Sequence, residues 1–394
     1  MKMQNPFLSM KLYIPLVAAV MMLVSSCGKK GEPEPVPSAD IKRVTLVYAV
    51  NYSSLSSIFA LNTADMLRAL EKAEKGADRL LVYRTDSPES TGLYEAVNSN
   101  GIWNWKLLRE YPRNTTSTNP EKLNKVLEDV CAIYPGVKRT LYFWGHGTSW
   151  TPYFSSHLTG HDKQRRRLAD PRGFGAEYAG ISTDWMDLDG LADAIPDNAF
   201  DIIWFDCCYM SSMEVAYELR DKADYLIAYP SEVWDKGLNY ADAMPPMLRE
   251  TPDIKESART FFEYYNKSTA VTVAVMDLGK IEPVAAAVAR IVADFDWTRP
   301  VNTSNYRRGG SEAYHDLRQL MAERAADNPE YTAELDRALA DFIIYHDHSL
   351  TDFNGRKWLN PDLSDISVYN FRDASTQADR YYQTLDWYKA VYNN

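Results

Sequence analysis

The sequence predicts an α/β protein: a mainly parallel β-sheet sandwiched between helices, with a mostly helical subdomain at the C-terminal end. Three observations carry that expectation. Short apolar runs such as residues 44–50 (VTLVYAV) and 200–205 read as strands buried on both faces. Stretches of helical period alternate with them, as a layered parallel sheet requires. From about Asp296 the composition turns polar and aromatic, marking a second region.

Taken in order, residues 44–50 are the first expected strand, 59–73 a helix, and 80–83 and 106–111 strands. A helix should begin near Asn119, because Pro120 and Glu121 suit its first turn, and it leads to a strand at 140–144. Helices over 184–194 and 210–222 then alternate with strands over 200–205 and 225–229. A helix at 254–265, a strand at 271–276 and an Ala-rich helix at 281–295 follow. The remainder is expected to be helical, with a long helix over 333–346 and a Tyr-rich one running to Asn394.

The N-terminus reads as an export signal. Lys2 and Lys11 precede an apolar stretch over 12–24, too short to span a bilayer comfortably. Met1, Met3 and Met10 would each serve as its start. The stretch ends in Leu23-Val-Ser-Ser-Cys27, which resembles the lipobox of bacterial lipoproteins, whose cysteine becomes the lipid-modified N-terminus. An ordinary signal peptide is the alternative. Lys29 and Lys30 follow with no acidic residue beside Cys27, which favours the outer membrane of a diderm envelope. The expected organisation is a signal peptide at 1–26, a Pro-rich tether at 27–40, a main domain at 41–295 and a subdomain at 296–394 that completes the fold.

With 394 residues and 45% hydrophobic content, the chain can bury a sizeable core. Its formal charge is −11, and removing residues 1–26 leaves 41 basic against 54 acidic residues. That balance argues against nucleic acid as a partner. With Cys27 used for lipid, Cys131, Cys207 and Cys208 remain, an odd number without the spacing of a disulfide framework. Cys131 lies in the amphipathic stretch 123–134 and reads as a small buried hydrophobe. The adjacent pair calls for another explanation.

Two predicted strands end in reactive side chains: 140–144 runs into Gly145-His146-Gly147, and 200–205 into Asp206-Cys207-Cys208. Parallel sheets place their sites at the carboxyl ends of strands. Side chains alternate along a strand, so Asp206 and Cys208 should project together while Cys207 turns away. This selects Cys208 as nucleophile and His146 as the base a thiol needs. The Asp206 carboxylate should attract a cationic substrate side chain, which predicts Arg or Lys before a scissile bond. It also opposes ionisation of the thiol, so His146 must more than compensate. The amides of Gly147 and Cys208 are the expected oxyanion hole.

Together these residues resemble the caspase-like clan, with His-Gly after one strand and an acidic-x-Cys after the next. Within it the chain is similar to the clostripain-like cysteine peptidases of bacteria. Asp206-Cys207-Cys208-Tyr209-Met210, with Glu214 shortly after, follows their nucleophile motif, although Cys207 stands where the family usually has Ala. Ser231-Glu232, the run from Asp365 to Tyr369, and Leu385-Asp386-Trp387-Tyr388 extend the likeness over most of residues 41–394. The resemblance implies a caspase-like fold and an endopeptidase that cleaves after Arg or Lys by a Cys208–His146 dyad without a third catalytic residue. It makes Asp206 the pocket acid, with Glu232 or Asp235 lining the same pocket.

Between His146 and Cys208 lies a basic, polar segment that includes Lys163, Arg165, Arg166 and Arg167. The resemblance makes it a site of self-cleavage into two associated chains. No metal site is expected: His157 and His161 flank a glycine-containing loop, and His346 and His348 are placed at the end of a helix. No cofactor is expected either, and calcium is left open because no Asp-x-Asp-x-Asp-Gly loop occurs. The competing reading is a non-catalytic surface lipoprotein that binds peptide or glycan through its 10 Trp and 26 Tyr residues.

Overall fold

The computed structural model describes residues 41–73, 78–87, 90–151, 173–180, 182–294, 300–307, 311–325, 328–372 and 374–393. The expected signal peptide, Cys27, the tether, His157, His161 and the basic run Lys163, Arg165, Arg166 and Arg167 lie outside the described residues.

In chain order the strands are β1 (Arg43–Ala49), β2 (Asp78–Ser87), β3 (Ser90–Ser99), β4 (Ile102–Tyr111), β5 (Lys138–Trp144), β6 (His146–Gly147) and β7 (Phe174–Ala179). They continue with β8 (Ser182–Met186), β9 (Phe200–Asp206), β10 (Ala223–Ala228), β11 (Thr272–Asp277), β12 (His315–Asp316), β13 (Ile343–His348) and β14 (Ser367–Val368). The helices are α1 (Ser56–Lys72), α2 (Pro120–Ile133), α3 (Leu188–Ala194), α4 (Met213–Glu218), α5 (Tyr240–Ala243) and α6 (Ile254–Tyr265). After them come α7 (Ile281–Ala293), α8 (Leu317–Arg324), α9 (Pro329–Phe342), α10 (Gln377–Tyr382) and α11 (Asp386–Tyr392).

Nine of these strands form one sheet in the order β13-β11-β10-β9-β5-β1-β2-β3-β4. The centre, from β10 to β2, is parallel throughout. Antiparallel strands close both edges, β11 and β13 on one side and β3 and β4 on the other. The alternation of strand side chains builds two cores. Leu46, Leu141, Ile203 and Met276 face a layer that includes α2, α7, α9 and α11. Val47, Tyr142, Trp204 and Val275 face the layer of α1, α5 and α6. This is the expected mainly parallel sheet between helices.

Most central elements fall where the apolar runs place them, and the departures have local causes. The helix expected over 184–194 begins only at Leu188, where the Asp187 side chain accepts the Gly190 amide at 2.8 Å; the residues before it are extended as β8 and pair with β7. The helix expected over 210–222 shrinks to α4, capped by Ser212, because the preceding backbone is held extended: the Ser211 amide donates to the Tyr229 carbonyl at 3.0 Å. The helix expected over 333–346 ends at Phe342. Ile343, Ile344 and Tyr345, poor in helix propensity and suited to a pleated surface, continue as β13 and pair with β11. The Tyr-rich end is two short helices, α10 and α11. Strand β3, polar on its open face, had no apolar run to announce it. Cys131 is half-buried rather than fully buried.

The segments that follow β5 and β9 pack directly on each other. A Cβ placed on Gly147 would lie 2.5 Å from the Cys208 carbonyl oxygen and 2.9 Å from Cys207 Cβ. Only a residue without a side chain permits that approach. The contact is reinforced by a 2.7 Å hydrogen bond between the Ser149 and Ser212 hydroxyls, both buried. Gly147→Ala should therefore force the two segments apart and lower stability by roughly 1–3 kcal/mol. A fall in the urea midpoint at unchanged slope is the expected result, and an unchanged midpoint would show that the contact is slack.

Candidate active site

Strand register brings the two reactive residues together. In the parallel β5–β9 pair the last partners are Trp144 and Asp206. Two residues beyond each stand His146 and Cys208, on backbones that start about 4.8 Å apart. Both line one cavity of about 180 Å³, together with Asp206, Trp234, Asp235 and Gly237.

The two neighbouring thiols have opposite surroundings. Cys207 is 2% exposed, donates to the Phe143 carbonyl at 3.3 Å, and sits in the apolar layer with Phe205. Burial pushes its pKa well up, and the Asp206 charge adds to that. Cys208 opens into the cavity, where its Sγ accepts the Val233 amide at 3.3 Å. An N–H aimed at sulfur favours the thiolate. Directly after it, Tyr209 adopts a left-handed φ of 65°, costly for a bulky residue, and its ring lies 4.7 Å from that of Tyr314. The chain thus turns sharply at the thiol.

His146 is set on β6, which pairs with β7. Its Nε2 lies 3.0 Å from the Ser54 hydroxyl, and its ring centroid lies 6.3 Å from that of Trp185 on β8. Burial lowers its pKa below the ordinary 6.5, so the ring is neutral near pH 7 and able to accept a proton. Sequence reasoning missed Ser54 and Trp185. Ser54 had a usable signal, since it follows the carboxyl end of β1, the sheet edge where His146 and Cys208 also stand.

Asp206 projects to the face opposite Cys207, as strand alternation requires. Its carboxylate accepts the Leu238 amide at 2.9 and 3.0 Å and the Tyr240 hydroxyl at 2.8 Å. Gly237, at φ 61°, lets the backbone close over it; a Cβ there would lie 2.5 Å from Oδ2. Burial raises the Asp206 pKa to about 6, and the two donors only partly offset this. Asp235 lines the same cavity. Glu232 does not: it turns from the cavity, and its carboxylate bonds the Tyr209 hydroxyl, whose pKa is raised by burial and then by that neighbour. The backbone between Ser231 and Asp235 is a loop, so strand alternation does not govern which side chain faces inward.

Glu214 and the run from Asp365 to Tyr369 form a frame behind Cys208. Fully buried Glu214 accepts the Tyr369 amide at 2.9 Å, and burial raises its pKa to about 7. Ser211 donates its hydroxyl to the Asp365 carbonyl at 2.8 Å and accepts the Ser367 amide at 2.9 Å. Trp387 is buried 5.7 Å from the Tyr217 ring of α4. These residues hold the segment that bears Cys208 without entering the cavity.

The arrangement combines a thiol, a neutral imidazole and a buried carboxylate at one strand-end cavity. The model of the clostripain family, peptidase family C11, matches residues 47–385. An inactive zymogen C11 protease from Parabacteroides distasonis is similar in structure with a TM-score of 0.75 at 24% identity, covering 91% of this chain and 100% of that one. A secreted C11 cysteine protease from Bacteroides thetaiotaomicron, in complex with an irreversible peptide inhibitor, is similar with a TM-score of 0.75 at 22% identity, covering 90% and 100%. At these identities the likeness is one of fold. No curated protein matches the chain. The match over residues 47–385 nevertheless places the chain in a family: it belongs to the clostripain family of peptidases.

Proposed function

We propose that this chain is a cysteine endopeptidase that cleaves after Arg or Lys, using Cys208 and His146. The observation that supports this most is the Trp144–Asp206 register, which sets the two residues side by side at one cavity. The Cys208 thiol gives its proton to His146 and its sulfur attacks the scissile carbonyl carbon. The resulting oxyanion lies between the abutting Gly147 and Cys208 segments, whose amides are its donors. Collapse breaks the C–N bond, and His146 returns the proton to the leaving amine. Water then hydrolyses the thioester by the same route.

Asp206 sets the specificity in this reading, with Asp235 at the rim. Raising its pKa from 3.8 to about 6 corresponds to a burial cost on the order of 3 kcal/mol. A cation 4 Å away at an effective dielectric of 20 returns about 4 kcal/mol. A substrate guanidinium or ammonium therefore suffices to keep the carboxylate ionised, whereas a neutral side chain leaves that cost unmet. The closed-in position of Asp206 behind Gly237 favours a long side chain with its charge at the tip.

Self-processing between His146 and Cys208 belongs to the same proposal. Residues on either side of segment 152–172 are joined at the site, with the Thr148 amide donating to the Gly173 carbonyl at 3.0 Å. Lys163, Arg165, Arg166 and Arg167 are the cleavage candidates, since they carry the charge that Asp206 would select. We further propose that Cys27 carries lipid and anchors the chain to a bacterial outer membrane; Cys27→Ala should move it from the membrane fraction to the soluble one, and no redistribution would contradict the anchor.

Three outcomes are expected. On an arginyl or lysyl fluorogenic peptide, Cys208→Ala should lose activity by at least about 1,000-fold and remain a single chain on a gel, while Cys207→Ala keeps both cleavage and processing. Ligand retention by a wild-type chain that cleaves nothing would instead favour a binding protein. Asp206→Asn should lower kcat/KM for Arg and Lys substrates by about 100-fold. Because the free Asp206 is protonated below about pH 6, the inhibition constant of benzamidine, a non-reactive cation, should rise as pH falls through that value in the wild type and stay flat in Asp206→Asn. A flat wild-type profile would remove Asp206 from the pocket.

A further inference from the structure

The second cluster of reactive side chains lies at the far edge of the sheet. His346 and His348 alternate on β13, opposite Ala274 and Thr272 of β11, so both imidazoles project from one face. Asp365 meets them there. Its Oδ2 lies 2.9 Å from His346 Nδ1 and 2.8 Å from His348 Nδ1, and the three ligand atoms all lie within 4.8 Å of one another.

Protons alone satisfy this arrangement only when His348 is a cation. His348 Nε2 lies 3.1 Å from the Pro361 carbonyl, to which it must donate. A neutral His348 then has only a lone pair on Nδ1, and a lone pair cannot bond a carboxylate oxygen. Hydrogen bonding would require a cationic His348, with both N–H groups converging on the two lone pairs of Oδ2. The other carboxylate oxygen, Oδ1, is buried without a partner, and the Asp365 side chain has 0% exposure. The Asp365 backbone is pinned in a left-handed conformation, φ 54°, by the Ser211 hydroxyl on its carbonyl.

We propose that His346 Nδ1, His348 Nδ1 and an Asp365 carboxylate oxygen bind a divalent transition-metal ion of the zinc class. Two neutral imidazoles and one carboxylate are a ligand set suited to zinc, with the fourth tetrahedral position left to water. The Nε2–H bond from His348 to a backbone carbonyl is the outer contact that fixes the tautomer and aims Nδ1 at a metal. Ligand atoms converging from an edge strand and from a rigid buried loop are already ordered, so little entropy is lost on binding. The ion clamps β13 to the loop at 361–367. Through Asp365 and Ser211 that clamp reaches the segment bearing Cys208. The site is separate from the proposed dyad and stands or falls independently of it.

The test uses the full chain carrying Cys208→Ala, which removes the cavity thiol as a competing zinc ligand. After chelation, incubation with Zn²⁺ and desalting, elemental analysis should find about one zinc per chain, and the thermal midpoint should rise with Zn²⁺. Adding His346→Asn and His348→Asn should abolish both effects. The single variant His348→Gln, checked for an unchanged far-ultraviolet circular dichroism spectrum, guards against loss through misfolding and should also lose the zinc-dependent shift. Absence of retained zinc in the parent, or retention unchanged by the histidine substitutions, overturns the proposal.

Discussion

The site depends on one constraint, the register between the two parallel strands β5 and β9. Because Trp144 is opposite Asp206, the chain two residues beyond each strand end carries an imidazole and a thiol to the same cavity. The same alternation sends Cys207 into the apolar layer and Asp206 into the layer of Tyr240. A slip of one residue would exchange the two faces, placing a carboxylate in the apolar core and turning the reactive thiol inward. Central strands buried on both faces make that slip prohibitive, so core packing and site geometry are fixed by the same contacts.

Electrostatics follow from burial of that edge. Desolvation holds His146 toward the neutral form and raises the Asp206 pKa to about 6, so near pH 7 the buried carboxylate is ionised at a desolvation cost. In the proposed reaction a substrate cation offsets that cost when it docks. The amide of Val233 on the Cys208 sulfur acts in the direction opposite to that carboxylate. Support comes from behind, where Ser211, Ser212 and Glu214 tie the segment bearing Cys208 to the Ser149 loop and to residues 365–369.

Much of this was legible in the sequence because the central strands are continuous apolar runs, and a parallel sheet locates its site at their ends. That Cys207 turns into the core while Cys208 stays at the cavity follows from the two-residue period. Elements whose signal lies in pairing rather than composition were not legible. Strand β8 read as helix because it is short, largely exposed and defined by its pairing with β7, and β13 read as helix because its partner β11 is distant in sequence. That second misreading placed His346 and His348 at a helix end, whereas a strand sets them on one face beside Asp365. Trp185 and the turning away of Glu232 depend on strand pairing and loop paths, which carry no apolar run to read, whereas Ser54 was within reach at the carboxyl end of β1.

The central claim is that Cys208, activated by His146, is the nucleophile of a site that accepts a basic side chain. Its most direct test is reaction with an arginyl haloketone followed by mass mapping of the labelled peptide. The account predicts a single alkyl group on Cys208, strongly slowed by His146→Ala and suppressed by a competing cation. Labelling of Cys207 or Cys131, or labelling of Cys208 that is indifferent to both His146 and the cation, would contradict it.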